Sequence, residues 1–148
     1  MKKSCHDIKF KSQKLLLKGV LHLPQIENPP LVVGSHGLEG SKESAKQQVL
    51  SKILVQNNIA FFRFDHRGCG QSQGDFIKDT SLEKRTRDFI NAVQHILSLK
   101  KTSQNIAVTF TVTDANTGTD FLYVNPVLLK FGFTVGGTIP PAKNIELN

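Results

Sequence analysis

A serine set between glycines, Gly70-Gln71-Ser72-Gln73-Gly74, has the G-x-S-x-G form of an acyl-transfer nucleophile. That chemistry requires the serine on a sharp turn between the end of a strand and the start of a helix. The nearest strand-like run, Ala60-Phe61-Phe62-Arg63-Phe64, ends eight residues before Ser72, and Asp75 to Asp79 is too short for the supporting helix. Ser72 therefore reads as a loop serine, with a nucleophilic role kept as the minor alternative. Upstream stand Asp65, His66 and Arg67, and further upstream His36-Gly37. A Ser-His-Asp relay needs the imidazole within reach of the hydroxyl and an acid behind it. Neighbours in an extended strand point to opposite faces, so Asp65 and His66 cooperate only if the chain bends sharply. No two of His36, Glu39, Asp65 and His66 have a spacing that specifies a metal site. Gly68 and Gly70 lack the third glycine of a dinucleotide fingerprint, so no cofactor is expected.

The elements that must position these residues are legible from pattern. Ile8 to Leu23 alternates imperfectly and ends at Pro24, which predicts an edge hairpin. Leu31-Val32-Val33, ending at Gly34, is a short apolar run suited to a strand buried on both faces. Ser41 is placed to cap a helix running to about Gln56, with Ala45, Val49, Ile53 and Leu54 on its apolar face and Asn57-Asn58 as its stop. Ala60 to Phe64 supplies the next buried strand. Thr80 and Glu83 fit a capping box for a second helix, whose stripe is Leu82, Phe89, Ile90, Val93, Ile96 and Leu97, with Lys84, Arg85 and Arg87 facing water. Strand, helix, strand, helix in this order implies an α/β layered sheet.

Beyond Lys101 the character changes. The first 101 residues hold seventeen Lys and Arg with nine Asp and Glu; the last 47 hold only Lys130, Lys143, Asp114, Asp120 and Glu146. Ile106 to Thr113, the turn Asp114 to Gly118, and Phe121 to Val124 read as a hairpin, and Val127 to Val135 is a further apolar stretch. The division expected is residues 1–101 as one part of a domain and 102–148 as a β-rich tail of different character, translated out of an ancestral frame or joined to unrelated sequence, with a diverged β-rich ending as the alternative.

The 148 residues suffice for one domain and carry a formal charge of +7. Lys2, Lys3, Lys9, Lys11, Lys14 and Lys18 against Asp7 put +5 of that charge in the first eighteen positions. No aromatic residues alternate with these lysines to stack bases, so nucleic acid is not an expected partner. No apolar run approaches the length of a membrane span, so membrane insertion is not expected and the cytoplasm is the default compartment. Cys5 and Cys69 have neither disulfide-framework nor zinc spacing.

Two segments resemble a known family. Leu31-Val32-Val33-Gly34-Ser35-His36-Gly37-Leu38-Glu39-Gly40-Ser41 resembles the strand and His-Gly loop of α/β-hydrolases, and Phe62-Arg63-Phe64-Asp65-His66-Arg67-Gly68-Cys69-Gly70-Gln71-Ser72 resembles the following strand and its glycine-rich loop. The branch it is most similar to contains serine aminopeptidase-like and dienelactone-hydrolase-like esterases, over about residues 15–100. The resemblance implies an incomplete α/β-hydrolase-like parallel sheet with flanking helices, an N-terminal β-hairpin and an atypical β-rich tail. It implies that the Leu38 backbone N–H is an oxyanion donor. His36, Gly37, Asp65, Arg67, Gly68 and Gly70 would then shape the loops, Asp65 and Arg67 pairing with each other or with backbone, while Gly37 and Gly40 permit close approach or positive φ.

In that family the second helix leads to a strand and then to the nucleophile elbow. Here the strand is Ile106 to Thr113 with no Gly-x-Ser-x-Gly after it, and the last histidine is His95. The leading expectation is a truncated or degenerate homologue of serine-dependent ester or peptide hydrolases, inactive alone. Two alternatives stand beside it: a non-catalytic binding module, with a second copy or a protein partner on an open sheet edge, and an esterase acting on small acyl esters or peptides through Ser72.

Overall fold

The computed structural model describes residues 5–103, 106–113 and 120–123. The elements are β1 (Cys5–Ser12), β2 (Leu15–His22), β3 (Leu31–Ser35), α1 (Ala45–Gln56), β4 (Ala60–Phe64), α2 (Phe76–Asp79), α3 (Leu82–Ser98), β5 (Ile106–Thr113) and β6 (Asp120–Tyr123). They form one mixed sheet in the order β1-β2-β4-β3-β5-β6. β3 lies parallel between β4 and β5, and the hairpin β1-β2 adds antiparallel to β4.

Because β4 is buried along its whole length, it sends alternate side chains to both faces. Phe62 and Phe64 point to the face covered by α3, where Phe10, Leu17, Leu21, Leu31, Val33, Ala92 and Ile96 complete the main core. Phe10 from β1 sits edge-on to both rings, at 6.1 Å from Phe62 and 5.6 Å from Phe64. Phe61 points the other way and packs with Val32, Leu54 and Ile59 beneath α1. Gly19 and Gly34 make these contacts possible: a Cβ on Gly19 would stand 2.5 Å from the Phe62 ring, and one on Gly34 would stand 2.6 Å from Phe61.

The helices depart from the sequence expectation in instructive ways. α1 starts after Ser44, and the Ser41 hydroxyl accepts from the Glu43 N–H instead of capping the helix. Its buried residues are Gln47 and Ser51, whereas Val49, Leu50 and Ile53 are 54%, 39% and 49% exposed. The apolar face read from Ala45, Val49 and Ile53 is therefore turned to water. Gln47 is the side chain that lies over Gly34 where α1 approaches the sheet: a Cβ on Gly34 would stand 2.5 Å from its Oε1. α3 is capped by Ser81, whose Oγ accepts from the Lys84 N–H, and not by Thr80. Leu82 is exposed, and Asp88 is buried on the helix face assigned to apolar residues.

β5 and β6 pair antiparallel, the hairpin expected there. Its turn, 114–118, and the apolar stretch 127–135 lie outside the described residues. Among the described residues no helix is long and apolar enough to cross a membrane, and Cys5 and Cys69 are free thiols. Replacing Phe10, which ties β1 to the β4 rings, by alanine is expected to cost about 3–5 kcal/mol, read as a fall in the urea midpoint. A loss within experimental error would contradict the packing described.

Candidate functional site

The loops leaving the C-terminal ends of β3 and β4 lie side by side and are held by a network of buried charge. Asp65, the first residue after β4, is fully buried. It accepts the Lys42 N–H at 2.7 Å, the Lys42 ammonium at 2.7 Å and the Gln71 N–H at 3.0 Å. Burial alone would raise its pKa, but these donors hold the carboxyl below its ordinary value. One carboxylate thus fastens the β3–α1 loop to the β4 loop. Gly70, at φ 51°, must be glycine for two reasons: its backbone is left-handed, and a Cβ would collide with the Asp65 carboxylate. Gly68, at φ 69°, is packed equally closely against the backbone of Phe76.

Arg67 does not pair with Asp65. Its guanidinium forks onto Asp88 of α3, Nη2 to Oδ1 at 2.7 Å and Nε to Oδ1 at 3.0 Å, and its N–H donates to Oδ2. Ser12 of β1 donates to the same carboxylate at 2.6 Å. Burial opposes ionisation of Asp88, yet the facing His66 ring, the guanidinium and the hydroxyl hold its pKa well below the carboxylate range. A buried aspartate in an amphipathic helix is the signal that sequence reading passed over, since periodicity scores Asp88 only as a polar interruption.

The His36 loop is shaped by bonds to both His36 ring nitrogens and to the carbonyls of His36 and Gly37. His36 Nε2 accepts the His66 N–H at 3.1 Å, which leaves the ring proton on Nδ1 to donate to the Gly37 carbonyl at 2.7 Å. Both nitrogens are occupied, so His36 has no lone pair free for a substrate proton. Arg85, assigned to solvent from the helix pattern, instead reaches from α3 to donate Nη2 to the carbonyls of His36 at 2.9 Å and Gly37 at 3.1 Å. With its carbonyls turned toward Arg85, the loop leaves the Leu38 N–H without a partner among the described residues. The Leu38 side chain is 60% exposed. Gly37 and Gly40 do not adopt positive φ; Gly40 lies against the His36 ring, 3.2 Å from its Cβ.

Ser72 ties two segments together. Its hydroxyl donates to the Asp65 carbonyl at 2.6 Å and accepts the Lys18 N–H at 2.9 Å, which joins the β4 loop to β2. The histidine nearest in sequence, His66, turns to Ser35: Nε2 and Oγ are 2.8 Å apart. His66 is buried, and burial lowers its pKa to about 4 against the pull of Asp88. Burial and then the Arg63 charge lower His22 to about 4 as well. Among the described residues no cluster of His, Cys, Asp and Glu is arranged to hold a metal ion.

The protein-family model for serine aminopeptidase, S33, matches residues 27–109. No curated protein sequence matches the chain at a significant level. Among solved structures, Est1E from Butyrivibrio proteoclasticus, bound to ferulic acid, is similar at TM-score 0.65 and 24% identity, over 70% of this chain and 41% of that one. The α/β hydrolase GrgF from Penicillium is similar at TM-score 0.65 and 23% identity, over 76% and 39%. A Pyrococcus furiosus esterase gives TM-score 0.65 and 18% identity, over 74% and 41%. These likenesses establish the fold, and the chain spans about two fifths of the length of these structures.

The buried histidines set a pH dependence. Because His22 and His66 have folded pKa values of about 4 against an ordinary 6.5, the unfolded chain binds more protons between those limits. Their stabilisation is complete above 6.5 and is lost as pH falls toward 4, by about 3 kcal/mol for His66 alone. Urea unfolding at stepped pH is expected to show this decline before the carboxylates titrate. A flat profile from neutrality down to about pH 4.5 would contradict neutral burial of the rings.

Proposed function

Since the chain belongs to the serine aminopeptidase, S33, family, whose model spans more than half of it, we propose that these residues build the oxyanion side of a serine-hydrolase site without its nucleophile. On this reading the chain as it stands turns over no ester or peptide. The observation that carries the proposal is the register of β5, which runs parallel beside β3 from Leu31↔Ile106 to Ser35↔Phe110. That is the strand after which the resembled fold presents its serine. Here it carries Thr109, Thr111 and Thr113, and the sequence contains no serine, cysteine or histidine beyond Ser103. The unpartnered Leu38 N–H supports an oxyanion role for that residue, with His36, Gly37, Asp65, Arg67, Gly68 and Gly70 shaping the loops around it. An oxyanion donor lowers a barrier only when a nucleophile reaches the carbonyl.

The compositional change near residue 101 falls between α3 and a strand of the same sheet, and the family match reaches residue 109. The proposed division, which rests on composition, keeps residues 1–101 as the hydrolase part and 102–148 as a tail of different character, although the first strand of that tail joins the sheet. The free thiols of Cys5 and Cys69 support a reducing, cytoplasmic compartment.

Hydrolysis of a short p-nitrophenyl ester and of an aminoacyl p-nitroanilide is expected to stay at the uncatalysed rate. Sustained turnover that disappears in Ser72→Ala would replace this reading with an esterase using Ser72.

The exposed Val49, Leu50 and Ile53 on α1 favour a second reading, a non-catalytic module covered by another copy of the chain. It expects the sedimentation coefficient to rise with concentration and Ile53→Glu to hold the chain monomeric. A wild-type monomer throughout would leave the first reading alone.

A further inference from the structure

The site described leaves one juxtaposition unused. Ser35, the last residue of β3, is half-buried, and its hydroxyl lies 2.8 Å from His66 Nε2. Across the ring, Nδ1 lies 3.7 Å from Oδ2 of Asp88. His66 is 2% exposed, Asp88 is fully buried, and Nδ1 has no hydrogen-bond partner. The carboxylate facing Nδ1 favours the proton on that nitrogen, which leaves the Nε2 lone pair toward the Ser35 hydroxyl. Arg67 and Ser12 fix Asp88 from its other sides, so the carboxylate does not swing away. Hydroxyl, imidazole and carboxylate therefore stand in the order that nucleophilic catalysis requires, delivered by β3, the β4 loop and α3.

We propose that Ser35 is a reactive nucleophile, activated by His66 and oriented through Asp88, that takes an acyl or phosphonyl group from small activated electrophiles. In the step, Ser35 Oγ bonds to the phosphorus of a fluorophosphonate, or to the carbonyl carbon of an activated ester, as its proton passes to His66 Nε2. The bond to the leaving group breaks, and fluoride or aryloxide departs with the electron pair. The imidazolium faces Asp88 and passes its proton to the departing fluoride or aryloxide. With His66 almost wholly buried, water has little access to Nε2 once Ser35 is substituted, so the adduct accumulates without turnover. This activity is separate from the family reading, which concerns a serine after β5.

The test is peptide mapping by mass spectrometry after exposure of the folded chain to an ethoxy fluorophosphonate. One adduct per chain is expected, on Ser35, absent from Ser35→Ala and absent when wild-type protein is labelled in denaturing urea. The rate is expected to stay level from about pH 8 to about pH 5.5, because the base is neutral throughout; an unassisted serine would slow about tenfold per pH unit. An adduct on Ser72 or elsewhere, no adduct on folded protein, labelling that survives urea, or a tenfold-per-unit pH slope would each overturn the proposal. Ester turnover is read separately, so failure here and failure of the family reading are distinguishable.

Discussion

The carboxylate of Asp88 is the constraint on which the rest of the site depends. It sits fully buried in α3 and gathers the Arg67 guanidinium and the Ser12 hydroxyl, while His66 faces it across 3.7 Å. Those partners come from the β4 loop and from β1, so a single charge fixes how the helix lies on the sheet. Taking an aspartate and an arginine out of water costs several kcal/mol each, and removing one partner of such a pair costs about 3–5 kcal/mol. The pair is therefore weak evidence for stability and strong evidence for a defined geometry. With α3 so placed, Arg85, one turn before Asp88, reaches the carbonyls of His36 and Gly37.

A second buried charge does the same on the other side of the loops. Asp65 binds Lys42 and the Gln71 N–H, and Gly70 leaves room for it. Lys42 passes the constraint on: its carbonyl accepts from Arg63, whose Nε donates to His22. The result is a set of loop backbones held in place by the buried side chains of Asp65, Lys42 and Arg63.

Much of this fold was legible in the sequence because short apolar runs and glycine-rich breaks report backbone directly. Leu31 to Gly34 and Ala60 to Phe64 are the parallel central strands, and the N-terminal alternation is the hairpin. The loop residues of the site were legible only through family resemblance. What stayed hidden were contacts between distant polar groups. The partnership of Ser35 with His66 joins residues 31 apart, and that of Ser12 with Asp88 joins residues 76 apart; neither leaves a periodic trace. The α1 face was misread for a related reason: periodicity finds an apolar stripe but cannot tell whether the sheet or solvent receives it. Ser72 shows why a motif in letters needs its structural context: the missing strand-to-helix turn argued for a loop serine, and its hydroxyl bonds the Asp65 carbonyl and the Lys18 N–H.

The central claim is that buried charge locks the two loops and holds their histidines in single neutral tautomers. Nitrogen-15 NMR of histidine-labelled protein reads this at the ring nitrogens. The account predicts that His36 and His66 each carry one proton, on Nδ1, at neutral pH, and that His66 stays neutral until about pH 4. A His66 ring that averages between tautomers and titrates near 6.5, the value of a free imidazole, would show that the network does not hold the loops in the manner described.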